Sequence, residues 1–118
     1  MEYMLLCRFE EKRWHALPEI QKREIMEKYA EFEREIARSG HARGSGKLAD
    51  ASATTTVRAQ NGKLIAVDGP FAEAKEALGG FHLVECKDLD EAVAIAQRIP
   101  TFSAGGVVEV RPVLPRAQ

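Results

Sequence analysis

Two helical stripes, each flanked by runs of strand-forming residues, limit the folds open to this chain. Residues 3–9, YMLLCRF, form an apolar run too short for a helix and read as a buried strand. A long amphipathic helix follows over residues 18–38. Pro18 suits its first turn, and Gly40 ends it. Ile25, Tyr29, Phe32 and Ile36 recur at intervals of four, three and four, which builds one apolar stripe opposite a face of Glu, Lys and Arg. Residues 40–52, GHARGSGKLADAS, are small and glycine-rich and read as a surface loop. ATTTVRA is β-branched and reads as a strand, and Asn61-Gly62 marks a hairpin whose return strand covers residues 64–67. FHLVEC is the next strand, after the Gly79-Gly80 pair. DLDEAVAIAQRIP then predicts a short helix. Asp88 or Asp90 caps it, Leu89, Ala92, Val93, Ala96 and Ile99 form its stripe, and Pro100 stops it. GGVVEVRPV alternates and closes the domain.

The order β-α-β-(β)-β-α-β predicts an α+β, ferredoxin-like fold: an antiparallel sheet with two helices on one face and an extra β-hairpin. A single domain is expected over residues 1–115, with residues 116–118 a frayed tail. Two helices cover only one face of a four-stranded sheet, so the other face must meet solvent, a ligand or a second subunit. Alternation puts Val108 and Val110 under the helices and turns Val107, Glu109 and Arg111 to the open face. In TTTVRA it turns Val57 inward and Thr56 and Arg58 outward. An open face that mixes apolar residues with arginines predicts a homodimer and a pocket roofed by the partner chain.

Composition narrows the function classes. Hydrophobic residues make up 45% and charged residues 30%, a balance that argues against disorder. A net charge of −1 gives no global field for nucleic acid or an anionic membrane. No apolar stretch is long enough to span a bilayer, and MEYMLLCRFEEKRWH lacks a basic leader. A cytoplasmic protein with no nucleic-acid or membrane partner is expected. Cys7 and Cys86 end apolar runs at opposite edges of the proposed sheet, which predicts two free thiols. His15, His41 and His82 show no metal-ligand spacing, and GSGK at 44–47 lacks the strand and spacing of a phosphate loop. No metal or cofactor is implied.

The stretch VDGPFAEAKEALGGFHLVE, residues 67–85, carries the one functional hint. Structurally, Asp68 can accept backbone amides, Gly69 permits unusual φ and Pro70 fixes its own φ, with Phe71 dropping into a core or dimer seam. Functionally, Asp68 can serve as a catalytic base, and Arg58, Lys75 and Arg111 as anion partners. Phe71 gives an apolar wall. Small-molecule pockets combine such groups, and paired arginines suit a carboxylate or phosphate. His82 lies in a strand and reads either as a structural histidine or as a ligand-binding acid–base group. Ligand binding without chemistry, acid–base catalysis by a small lyase or hydrolase through Asp68, and a structural dimer whose open face is only interface all remain open; the arginine pair disfavours the last, because burying it unpaired is costly.

VDGPFAEAKE with LGGFHLVE, preceded by TTTVR and closed by VEVRP, resembles the DGPF branch of the YCII-related domain family along nearly the whole chain. The resemblance implies a ferredoxin-like dimer, a small bacterial protein of largely unknown activity, and in some members an association with extracytoplasmic-function sigma factors. In a more distant branch it implies a catalytic His-Asp pair with the histidine on the first helix. The helix predicted over 18–38 contains no histidine. His15 precedes it and His41 follows it, so the pair does not transfer on this reading.

Overall fold

The computed structural model describes residues 1–116. Its main sheet has four antiparallel strands: β1 (Glu2–Phe9), β2 (Ala42–Lys47), β5 (Ala77–Glu85) and β6 (Val107–Pro112), in the order β2-β5-β1-β6. That order, with one long helix between β1 and β2 and another helix between β5 and β6, is the ferredoxin-like arrangement. The hairpin β3 (Thr55–Gln60) and β4 (Lys63–Asp68) is inserted between β2 and β5 and forms a two-stranded sheet of its own.

The long helix α2 (Glu19–Arg38) follows Pro18, and Gly40 at φ 82° ends it in the left-handed conformation that glycine adopts without strain. Its stripe does what the spacing demands. Ile25, Phe32 and Ile36 are buried, while Tyr29 is half-buried and reaches the sheet. The second long helix, α3 (Leu89–Ala96), is capped by Asp88, whose carboxylate accepts from the Glu91 amide at 2.9 Å. Ala92, Ile95 and Ala96 are its buried residues, whereas Leu89, expected in the stripe, is exposed. Between the helices and the sheet lies one core, with Leu5, Val84 and Ile99 fully buried at its centre. Val108 and Val110 pack against it, and Val107, Glu109 and Arg111 lie on the opposite, more exposed side.

Three elements differ from expectation. Residues 42–47 are an edge strand rather than loop: Ser45 pairs with His82 and Gly46 with Phe81, so β5 supplies the partners that weak local propensity could not reveal. Gly46 is required there, because a Cβ would come within 2.7 Å of the Phe81 ring. The strand expected at 81–86 begins at Ala77 and runs through both glycines. The TTTVR strand, in turn, does not join the main sheet. Val57 is 68% exposed rather than inward, because β3 pairs only with β4. The turn at Asn61-Gly62, with φ of 52° and 77°, is the hairpin connection the sequence dictates.

A further helix, α1 (Glu11–His15), was missed. At one turn it is too short for any periodicity to show, yet EKRWH contains no helix breaker and Pro18 closes off the segment. Cys7 and Cys86 are free thiols.

Candidate functional site

A cleft of about 340 Å³ lies on the helix-covered side of the sheet. Its walls come from β1 (Cys7, Phe9), α1 (Trp14, His15), α2 (Met26, Tyr29), the segment Ser45–Leu48 with Asp50, and β5 (His82). The floor is built by glycine. Register slips between β1 and β5 at Cys7/Arg8, leaving Gly79 as the extra residue of a bulge. Gly46, Gly79, Gly80 and Gly106 line the space. A Cβ on Gly79 would strike the Phe9 ring. Glycine-rich sequence that reads as loop and turn thus gives a sheet end on which a ligand can approach backbone.

Two polar constellations face this cleft. At its rim, His15 Nε2 lies 2.8 Å from Asp50 Oδ2, both side chains about half exposed. The Asp50 loop is held by a second bond to α1, from the Ala51 amide to Glu11 Oε2 at 2.8 Å. In its wall, the Tyr29 hydroxyl is hydrogen-bonded to His82 Nε2 and lies 3.8 Å from Cys7 Sγ. The Tyr29 and His82 rings stack at 5.5 Å, and Phe32 meets His82 edge-on. His82 is 97% buried by its 3% exposure, and among the described residues its Nδ1 has no hydrogen-bond partner. Burial disfavours the charged imidazolium and holds the His82 pKa below its ordinary value. Burial likewise pushes the Cys7 thiol up, with the Tyr29 bond opposing it, and pushes the Tyr29 phenol up, reinforced by Cys7. All three are therefore neutral at pH 7, so the wall is a polar but uncharged donor–acceptor array.

The residues singled out from sequence scatter. Of Asp68, Arg58, Phe71, Lys75, His82 and Arg111, only His82 lines the cleft. Asp68 ends β4 and is exposed. Among the described residues its carboxylate holds no backbone amide. The turn is instead tied by the Gly69 amide to Thr54 O and by the Thr56 hydroxyl to Gly69 O, both at 2.7 Å. Arg58 lies 5.8 Å from the centre of the Phe71 ring, a cation–π pair, and Phe71 is 76% exposed rather than sunk in a core. Lys75 faces Glu10 at 3.7 Å. Arg111 lies across the sheet from the cleft, beside Met4 in register. The pocket expected on the open face thus has its enclosed counterpart on the other face. His15 does sit on the first helix, because α1 precedes α2, and Asp50 is its partner. The signal was the residue pair itself; what hid it was the short helix and 35 residues of separation.

Among the described residues no group of three or more His, Cys, Asp or Glu could hold a metal ion. No helix among them is long and apolar enough to cross a membrane.

Fold and cleft together define a small α+β ferredoxin-like domain with a one-sided, helix-roofed cavity. The chain matches the model of the YCII-related domain family over residues 1–116 and belongs to that family. It is 33% identical over 114 residues to an uncharacterised protein of Rhizobium meliloti, covering 96% of this chain and 92% of that one. In structure it is similar to a 5-chloro-2-hydroxyhydroquinone dehydrochlorinase from Burkholderia phenoliruptrix, solved in complex with 2,5-dihydroxybenzoquinone. The TM-score is 0.56 at 13% identity, over 97% of this chain and 94% of the other. At that identity the likeness concerns the fold.

Proposed function

We propose that this protein is a homodimer that takes a small planar molecule, one hydroxylated or carboxylated ring in size, into the cleft between α2 and the sheet. It moves a proton on that molecule through His15. The observation that carries the reading is the cleft itself: apolar walls from Phe9, Trp14 and Met26, with two convergent polar pairs, His15–Asp50 and Tyr29–His82. Apolar enclosure with few polar groups is the usual form of a small-molecule site. Histidine is the side chain whose charge changes in the physiological range, and a carboxylate on one ring nitrogen orients it as base or acid. Tyr29 and His82, kept neutral by burial, suit hydrogen bonding to a ring hydroxyl or carbonyl. The quinone ligand of the Burkholderia dehydrochlorinase is of this size and chemistry and makes a reasonable probe. The acid–base role falls to His15 and Asp50 rather than to Asp68, because Asp68 stands outside the cleft. The homodimer rests on the uncovered side of the sheet, where Val107 is 44% exposed.

Trp14 is the single tryptophan and lines the cleft, so its fluorescence reports occupancy. Titration with 2,5-dihydroxybenzoquinone should quench it saturably. Deuterium uptake at the ring C–H positions in D₂O, followed by proton NMR, should be accelerated by the protein and lost in His15→Gln. Binding without acceleration would leave a binding protein with no chemistry of its own. Absence of saturable binding of this and of related hydroxybenzoates would refute the reading.

A further inference from the structure

The β3–β4 hairpin stands out from the domain in a way that needs a partner. Its strands pair only with each other, and a two-stranded ribbon alone is marginal in water. Register places Val57 opposite Ala66 and Ala59 opposite Leu64, so all four share one face. All four are exposed, Val57 at 68% and Leu64 at 80%. The molecule is broad and thin, 48 × 48 × 18 Å, with a radius of gyration of 16.4 Å where a compact domain of this length has roughly 13–14 Å. The hairpin turn itself is well specified, so the projection is built in rather than left loose.

We infer that the hairpin is an arm that lays the Val57–Leu64 face against the open sheet face of a second copy of this chain. This rests on the dimer reading above and adds to it the element that clasps. The occupant is a second copy for two reasons. The same chain carries the complementary surface: Met4, Leu6, Phe81 and Leu83, half-buried on the side of the sheet that no helix covers, with Val107 beside them. Size fits as well. A standard interface takes roughly 20–30 residues a side. The arm spans residues 55–68, and the outward positions of the four-stranded sheet bring the total into that range. Two-fold symmetry makes each arm both donor and recipient, so one rotation buries two apolar arms and two open faces at once.

Test variants are Val57→Asp with Leu64→Asp on the arm and Val107→Asp on the open face. Sedimentation should give twice the chain mass for wild type and one chain mass for the arm double variant. The dimer should weaken roughly 100-fold or more, since each substitution is met twice. Amide hydrogen exchange should show β3 and β4 protected in concentrated wild type and unprotected on dilution. The cleft is built from one chain, so quinone quenching of Trp14 should persist in the arm variant, which also shows that it is folded. Wild type dimeric, with the arm variant equally dimeric and arm amides unprotected, would overturn the arm while leaving the open-face dimer intact. A monomeric wild type, or an arm protected at every dilution, would overturn the proposal; the monomer would overturn the dimer reading too. If the arm variant loses its fold, exchange in the wild type alone decides.

Discussion

His82 should give the protein an acid-labile stability that one substitution removes. The side chain is 3% exposed, and among the described residues its Nδ1 is unpartnered and no carboxylate pairs with it, so nothing there welcomes a second proton. In the unfolded chain histidine titrates near 6.5. The folded pKa is depressed, so below about pH 6.5 the unfolded state binds more proton than the folded state. Stability contributed this way is fully present above pH 6.5 and is lost as pH falls through the folded value. Between pH 7.5 and 5.5 the loss has a ceiling of about 1.4 kcal/mol, one pH decade of differential protonation. For a chain of this length that ceiling is roughly 5 °C in Tm. His82→Leu is close in volume and cannot titrate. It sacrifices the bond to Tyr29 and also removes an orphaned polar atom, two effects of about 1–3 kcal/mol or less that oppose each other and do not vary with pH over this range. The assay is thermal unfolding of both proteins at pH 5.5 and 7.5. Wild type should be the more acid-sensitive, with a difference between the two pH shifts of up to roughly 5 °C. Equal shifts, or a His82 ring that titrates at 6.5 or above in the folded protein, would refute the reasoning.

Asp88→Ala should cost about 1 kcal/mol by removing the cap of α3, read as a lower midpoint in urea with an unchanged slope. Gly79→Ala should destabilise by about 1–3 kcal/mol and reshape the cleft, because the new methyl must displace the Phe9 ring; quinone quenching of Trp14 should weaken in parallel. Thr56→Val should cost about 1 kcal/mol through the lost bond to Gly69 O, whereas Asp68→Ala should stay within about 0.5 kcal/mol in the same melts.

What the sequence revealed follows the range of each signal. The α2 stripe was legible because Ile25, Phe32 and Ile36 bury along a single helix, where spacing alone sets the face. The inward turn of Val108 and Val110 was legible for the same reason in a strand. By contrast, β2 owes its existence to β5, and ARGSGK has no propensity that would announce a strand. Val57 was misplaced because alternation says which residues share a face, never whether a sheet lies behind them. The site suffered most from this limit. His15 and Asp50 are joined only by tertiary folding, and Tyr29 looked like one more core residue until His82 met its hydroxyl. The DGPF stretch drew attention as a turn of unusual composition, and in the structure it shapes the base of the arm and the path into β5 rather than the cleft.

The most direct test of the account is where a ligand lands. Uniformly labelled protein titrated with 2,5-dihydroxybenzoquinone should show its largest amide and ring shifts at Trp14, His15, Tyr29, Gly79 and His82, all in the cleft. Shifts concentrated instead at Arg58, Val107 and Arg111, with the Trp14 and His82 signals unmoved, would contradict it.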